Sequence, residues 1–201
     1  MSDQTGEELP GEIPLFPLHT VLFPGGPLPL RIFETRYLEM VSNCLKRNQG
    51  FGVCLIDKGS ETGKARTYKV GTLAVIRDWS NGADGLLNIL ALGSRRFRML
   101  HLRTQDNGLN MATVEWLAEE PAMLVPVNAA PLAGQLQQML TQAGTHYALV
   151  ERDFENASWL GYRLAELLSM PLTQKQYLLE ITDAHMRLDI IETLVNAREP
   201  G

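Results

Sequence analysis

The sequence predicts an α+β protein in which a small β barrel or sandwich is followed by a helical bundle. Two observations predict this order. Residues 51–118 contain short runs rich in Val, Ile, Leu, Thr and aromatic residues, separated by turns with Asn-Gly and Asp-Gly steps. After residue 119 the apolar residues recur at three- and four-residue steps, the period of an amphipathic helix. We therefore expect a disordered tail at 1–10, a β-rich subdomain at 11–119, and a connector with a helical subdomain at 120–201.

The segment IPLFPLHTVLFPGGPLPLRIFETRY at 13–37 combines five of the eleven prolines with many long apolar side chains. Apolar side chains favour burial, whereas proline is excluded from helix interiors and central strands. Short strands at the rim of a closed sheet satisfy both demands, because proline there removes an N–H that another chain could pair with. FPGGP at 23–27 predicts a turn, since Gly25 and Gly26 can adopt positive φ.

A first helix is predicted to begin near Glu34, with Phe33 and Tyr37 opening its apolar stripe and Gly50 as its left-handed cap. The predicted strands are 51–57, 68–79, 86–92, 95–103 and 109–118. The predicted helical stripes are 136–150, 160–168, a short one after Pro171, and 184–195 with Thr182 or Asp183 as N-cap.

Composition and charge argue against several classes of function. The formal net charge is −5, so the molecule as a whole repels duplex nucleic acid, although a local basic patch could override this. The polar, acidic start is unlike a signal peptide, and no apolar run approaches the ~20 residues that span a bilayer. We expect a cytoplasmic protein without a membrane partner.

Motifs for catalysis, metals and cofactors are missing or incomplete. GSETGKAR at 59–66 mimics a phosphate-binding loop, but its glycine spacing is one residue short and Ala65 replaces the Ser or Thr that would hold Mg²⁺. Cys44 and Cys54 form no C-x-x-C pair and have no histidine at metal spacing, so buried reduced thiols are expected. The sequence therefore predicts no catalytic residue, no metal and no cofactor.

One basic cluster, SRRFRMLHLR at 94–103, contains Arg95, Arg96 and Arg98 with Phe97 between them. Arginines interleaved with an aromatic residue could bind a single-stranded nucleic acid. Arginines that pair with carboxylates around a barrel rim explain the same pattern, and we prefer this interpretation.

Four ordered motifs resemble the Lon protease N-terminal, or LON substrate-binding, domain. They are the segment at 13–37, YKVGTLAVIRDW at 68–79, LLNILALGSRRFRML at 86–100, and the stretch MPLTQKQYLLEITDAHMRLDIIETLV at 170–195. The resemblance implies a PUA-like β pseudo-barrel followed by a helical bundle. In Lon proteases this region helps to engage polypeptide substrates ahead of an ATPase and a peptidase. Because these 201 residues contain no Walker motif, we expect neither the ATPase nor the peptidase here.

The preferred function is a non-enzymatic module that binds unfolded or peptide-like protein segments, or a dedicated protein partner. The binding surface would be a groove between barrel and helices with the proline-rich segment as one wall, and its candidate residues are Arg31, Phe33, Arg36 and Tyr37. The alternative is RNA or nucleotide binding through Arg95, Arg96 and Arg98, which the acidic net charge disfavours. A small-ligand or hydrolytic site ranks last. The sequence leaves the identity of the partner and the oligomeric state open.

Overall fold

The computed structural model describes residues 10–61, 63 and 65–197, so the predicted tail lies outside the described residues except for Pro10. Within that part the strands are β1 (Glu12–Leu18), β2 (Pro27–Ile32), β3 (Phe51–Gly59), β4 (Ala65–Thr67), β5 (Val70–Asn81), β6 (Leu87–Thr104) and β7 (Asn110–Trp116). The helices are α1 (Thr35–Arg47), α2 (Ala130–Gln142), α3 (Ala157–Leu167), α4 (Leu172–Glu180) and α5 (Ala184–Asn196). The predicted α+β class, strands first and helices after, is confirmed.

The sheet closes on itself because β1 has two partners. Its first half, Glu12 to Leu15, pairs antiparallel with β7, and Leu15 to Leu18 pair with β3. The path β1-β7-β6-β5-β3 thereby returns to β1 and forms a barrel. The predicted barrel is confirmed, with one departure from an antiparallel arrangement, since β1 and β3 run parallel.

Strand β6 is one element of 18 residues, so the prediction of two strands at 86–92 and 95–103 is wrong. The strand continues through Gly93, where the turn at 23–27 packs directly on its backbone. Gly25 N donates to Gly93 O and Gly93 N donates to Gly26 O, each at 2.8 Å. A Cβ at Gly93 would lie 2.1 Å from Phe23 O, which explains the glycine without any break in the strand.

Helix α1 begins after Glu34 as predicted, but its stripe and its cap differ from the prediction. Phe33 precedes the helix and is 62% exposed, whereas Tyr37 is buried. The left-handed cap is Asn48, at φ 50°, a conformation that asparagine tolerates better than most residues. Gly50 serves close packing instead, because a Cβ there would lie 2.5 Å from Ala74 O.

The helical half follows the predicted order with one correction. The first stripe was predicted to run through 150, but α2 ends at Gln142, where Ala143 and Gly144 turn extended. A 3₁₀ turn, Thr145–Leu149, follows and contains Tyr147, and Val150 comes directly after it. The short helix after Pro171 is confirmed, and Asp183 rather than Thr182 caps α5 by accepting from Met186 N at 2.9 Å.

One hydrophobic core crosses from the barrel to the helices. Val21, Phe23, Leu55 and Val70 belong to the strand half and pack with buried residues of α2, α3, α4 and α5. Separate cores fill the barrel interior around Phe97 and the space beneath α1. The residue ranges of two subdomains therefore stay a proposal, since the largest core belongs to both halves.

The thiols and the loop at 59–66 match the sequence interpretation. Cys44 and Cys54 are free and buried, and burial raises their pKa values to about 11 and about 12. The glycine-rich stretch lies between the antiparallel strands β3 and β4, and its described residues include no helix N-terminus for a phosphate. In the described part of the chain, no helix is long and apolar enough to cross a bilayer.

Candidate functional site

A cleft follows the junction between barrel and helices, and we call it the seam cleft. It has an apolar chamber of about 550 Å³ and a polar chamber of about 330 Å³. Both are lined by Gly25, Gly93 and Ser94, so the two chambers adjoin. Pro24 also lines the polar chamber, so the proline-rich segment supplies part of the wall.

The apolar chamber takes its wall from three parts of the fold. Its apolar lining consists of Val75 on β5, Leu92 on β6, Leu149 and Val150 at the 3₁₀ turn, and Trp159 on α3. Leu149 is 54% exposed and lines this chamber. The Trp159 Nε1 is buried without a hydrogen-bond partner in the described part. An apolar side chain of a ligand fits this lining.

The polar chamber is built around one buried carboxylate, and we call its residues the Glu120 cluster. Arg187 Nη1 donates to Glu120 Oε2 at 2.9 Å, and Arg96 Nη2 lies 3.0 Å from Oε1. Ser158 Oγ donates to Oε2 at 2.6 Å, and Tyr162 OH donates to Oε1 at 2.5 Å. The cluster joins β6, the connector, α3 and α5 at a single point.

Burial by itself would raise the pKa of Glu120, whose side chain is only 4% exposed. The hydrogen bond and charge of Arg187, with the hydrogen bonds from Ser158 and Tyr162, outweigh burial and hold that pKa below its ordinary value. Burial raises the pKa of the Tyr162 phenol, which therefore stays protonated and donates. The chamber thus contains an ionised carboxylate with its acceptor sites taken.

The backbone at the end of α4 fixes the two arginines of the cluster. Arg96 Nη1 donates to Leu179 O and to Ile181 O, at 2.7 Å each. Arg187 Nε donates to Leu178 O at 3.0 Å. A barrel strand and a C-terminal helix are therefore tied to the same helix end by charge-assisted hydrogen bonds.

A second buried arginine holds the turn at 23–27 against α3. Arg163 Nη2 donates to Pro24 O at 2.7 Å, and its Nη1 lies 3.1 Å from Glu166 Oε2. A Cβ at Gly26 would lie 2.7 Å from Glu166 Oε1, so this ion pair packs directly on the turn. Helix α3 thus positions the proline-rich wall of the seam cleft.

The four predicted partner residues differ in exposure and in the contacts that they form. Arg31 pairs with Asp84 and lines a separate cavity of about 380 Å³, and Phe33 is exposed. Arg36 is held by Gly108 O at 3.0 Å and Glu61 O at 3.2 Å. Tyr37 is buried and stacks on Phe16, with 3.8 Å between the ring centroids. None of the four is among the residues that line the seam cleft.

The three predicted basic residues are divided between the cleft and the outer barrel surface. Arg95 and Arg96 line the polar chamber, whereas Arg98 is exposed with its Nε 3.9 Å from Glu115. Arg96 is buried, whereas Leu100 on the same strand is exposed. Pairing with Glu120 and Glu115 agrees with the preferred interpretation of arginines bonded to carboxylates.

Comparison with known families gives a match over residues 12–197 to the ATP-dependent protease La (LON) substrate-binding domain. The chain belongs to this family. The resemblance that the four sequence motifs indicate is thereby confirmed over nearly the whole described fold.

Relatives and solved structures agree with this membership. A crystal structure of a Lon N-terminal domain protein from Xanthomonas campestris has a TM-score of 0.76 and 36% identity, and covers 94% of this chain and 99% of that chain. The Lon protease of Paraburkholderia phytofirmans is 31% identical over 190 residues, which are 90% of this chain and 23% of that protein. The N-terminal domain of the Mycobacterium avium complex Lon protease, at 15% identity and a TM-score of 0.62, shares the fold. This LON-family chain spans about a quarter of the length of the curated relatives it matches.

The free sheet edges of this LON-family domain are protected against pairing with another strand. Within the described part, β2 pairs with β6 alone, and Pro27 and Pro29 have no N–H to offer along its outer edge. Beyond Ala74, β5 pairs with β6 alone, but it contains a bulge, and Asp78 Oδ1 accepts from Trp79 N at 2.8 Å. Pro27 and Pro29 therefore lie on a rim strand as predicted, whereas Pro14 and Pro17 lie in β1, which pairs with both β7 and β3.

Sequence reasoning missed most of the cleft. Glu120 stands in a connector and has no motif around it, and Arg187 lies 67 residues further along the chain. The sequence singles out neither Leu149 nor Trp159, which both line the apolar chamber. Two signals in the sequence pointed to the cleft: Pro24 and Gly25 of the proline-rich turn line it, and so do Arg95 and Arg96 of the basic cluster.

Proposed function

We propose that this chain is a non-catalytic protein-binding module that holds unfolded or peptide-like segments of other proteins in the seam cleft. The observation that carries the proposal is the apolar chamber of about 550 Å³ with Leu149 on its wall. Exposed apolar surface in a concave site is where a protein partner gains most from burial. Membership of the LON substrate-binding domain family supports the same function.

Recognition in the cleft would use side chains rather than strand addition. The outer edge of β2 carries Pro27 and Pro29, and Asp78 caps Trp79 N on the edge of β5. An extended segment could not form a regular ladder on either edge. Affinity is then expected to depend on the apolar residues of the segment and on the cleft side chains that they contact.

The absence of catalysis, of a cofactor and of ATPase or peptidase parts belongs to the same proposal. Glu120 is the buried carboxylate of the cleft, and its lowered pKa makes it a poor proton donor at neutral pH. Ser158 Oγ donates its proton to that weakly basic carboxylate instead of to a histidine. A cytoplasmic location likewise remains a prediction from the sequence.

The group formed by Arg31 and Phe33 stays a candidate second contact surface. Both side chains are exposed, and Arg31 lines the cavity of about 380 Å³ with Trp79 and His146. Arg36 and Tyr37 would support that surface from within, because their side chains are held by the fold. No observation favours the RNA alternative, since Arg96 is engaged with Glu120 and with two backbone carbonyls.

The proposal predicts that Leu149→Asp weakens the binding of unfolded protein segments by about tenfold or more, because a carboxylate would then replace an apolar contact in the chamber. Fluorescence anisotropy with labelled peptides from a permanently unfolded client measures this. The matched control is Val127→Asp, at an apolar residue that is 92% exposed outside the cleft. Equal affinity of wild type and Leu149→Asp, or equal loss in both variants, would reject the seam cleft as the binding site.

A further inference from the structure

We propose that the polar chamber of the seam cleft is a carboxylate subsite, which takes the side chain of an Asp or Glu next to the apolar residue held in the apolar chamber. The inference rests on the proposed function and deepens it, since it names the class of segment that binds. The charge of the chamber, its unused hydrogen-bond donors and its position beside the apolar chamber support the inference.

The lining of the polar chamber contains two arginines, Arg95 and Arg96, and two glutamates, Glu119 and Glu120. Glu120 is paired with Arg96 and with Arg187, which lies behind the lining, so its charge is neutralised within the fold. Glu119 is exposed, and water screens its charge. Arg95 is then the lining cation without a carboxylate at ion-pair distance in the described part.

Hydrogen-bond donors remain in the same wall. Arg95 is anchored by one bond, from its Nε to Leu117 O at 3.0 Å, which leaves both of its Nη atoms without a partner in the described residues. Arg96 Nη2 lies 3.0 Å from Glu120 and Ser158 Oγ donates to the same carboxylate, so Arg95 provides the free donors of the wall. The two Nη atoms of a guanidinium can bind both oxygens of a carboxylate, which is therefore the group that Arg95 complements.

The arrangement of the two chambers sets the spacing of the recognised residues. They adjoin at Gly25, Gly93 and Ser94, so one short segment can enter both. In an extended chain, residues i and i+2 point to the same side and lie roughly 7 Å apart. The rim charges of the apolar chamber, Arg77 and Glu151, offset each other and add no preference. The expected segment has a large apolar residue and an Asp or Glu two positions away.

Matched peptides test this without requiring a natural partner. The first peptide is labelled, capped at both ends and otherwise uncharged, and carries Leu-Ser-Asp; the second carries Leu-Ser-Asn; the third has Leu-Ser-Asn and a free C-terminal carboxylate. Anisotropy titrations are run with wild type, with Arg95→Gln, and with Arg98→Gln as a control outside the cleft. The Asp peptide should bind wild type and Arg98→Gln about tenfold more tightly than the Asn peptide, the gain expected for a charge-assisted hydrogen bond.

Arg95→Gln should remove most of that difference, whereas Arg98→Gln should retain it. Equal affinity of the Asp and Asn peptides for wild type would overturn the inference, and so would a preference that persists in Arg95→Gln. A preference for the free C-terminus without one for Asp would also overturn it, because the carboxylate source would be wrong. If no peptide binds at all, the proposed function itself fails, and the two failures are thereby distinguishable.

Discussion

Glu120 is the residue on which the most distant parts of the chain converge. Its carboxylate contacts side chains from β6, α3 and α5, and its own side chain is 4% exposed. An ionised group at such depth is stable only while its partners remain, because an uncompensated buried charge is costly. The cluster therefore has a large effect on stability when one member is changed.

Glu120→Gln is expected to lower the free energy of unfolding by about 3 kcal/mol, because it leaves Arg96 and Arg187 buried without a counter-charge. Urea denaturation measures the change. The control, Glu115→Gln, removes the carboxylate beside Arg98. The Glu115 side chain is 60% exposed, so this change should lower the free energy of unfolding by no more than about 0.5 kcal/mol. Similar losses in the two variants would show that the cluster contributes no special stability.

The same carboxylate gives a prediction for acid pH. The pKa of Glu120 is lower in the folded protein than its ordinary value of 4.5, so the unfolded chain binds the proton first. Its contribution is complete above that ordinary value and is lost as the pH falls through the lowered folded value. Wild type should therefore lose stability faster than Glu120→Gln below about pH 4.5. Parallel stability–pH curves would contradict this.

At the residue scale, the sequence indicated the kind of contact that the arginines form, but it did not indicate which residues they contact. It indicated that the arginines of 95–103 pair with carboxylates, and Arg96 and Arg98 do lie beside Glu120 and Glu115. It could not indicate that Arg96 is buried, because strand alternation is interrupted by bulges and because helices of the second half cover that part of the barrel. Burial by an element 83 residues away leaves no local signal.

Among the elements, β6 and the turn at 23–27 are in direct backbone contact. Their backbones approach so closely at Gly93 that both its N–H and its carbonyl form hydrogen bonds with the turn. Pattern reading separated 86–92 from 95–103, because a glycine between two apolar runs resembles a turn. Runs rich in β-branched, aliphatic and aromatic residues predicted β3, β5 and β7 to within two residues at each end, whereas the three-residue β4 was not predicted.

Gly93→Ala is expected to lower the free energy of unfolding by about 2 kcal/mol or more, since the new Cβ would lie 2.1 Å from Phe23 O and the backbone must move. Thermal and urea unfolding measure it. Gly134→Ala is the control, because this exposed glycine in α2 has open space around it and alanine there should stabilise by about 0.5–1 kcal/mol. A Gly93→Ala protein as stable as wild type would refute the close-approach explanation.

Helix limits show why element boundaries are harder to predict than elements. The apolar stripe at 136–150 has helical period throughout, yet the backbone leaves the helix after Gln142. Leu149 and Val150 then face the seam cleft from a 3₁₀ turn. A periodic pattern specifies which side chains share a face, and it does not require one continuous helix.

For the whole molecule, the shared core decides how the two halves behave. Phe23 and Val70 of the strand half pack with Leu160 and Leu188 of the helical half in one cluster. The predicted order of the halves came from the change of hydrophobic period, and that order is confirmed. The shared core could not be predicted from the sequence, because no pattern shows which residues of the strand half pack against the helices.

We expect both halves to unfold together in one cooperative transition, because neither can keep the common core without the other. Far-UV circular dichroism follows the helices, and the fluorescence of Trp116 in a Trp79→Phe, Trp159→Phe variant follows the barrel. The two thermal curves should coincide, and the calorimetric and van't Hoff enthalpies should agree. Separate midpoints would instead support two independent subdomains at 11–119 and 120–201.

The bond from Arg163 to Pro24 O joins residues 139 positions apart. During synthesis, the amino-terminal turn is made early, but the side chain that fixes it emerges from the ribosome much later. Phe23 lacks its Tyr162 neighbour for the same interval. The first segment of this chain is therefore among the last to reach its final place, and for that time it exposes the kind of apolar stretch that chaperones bind.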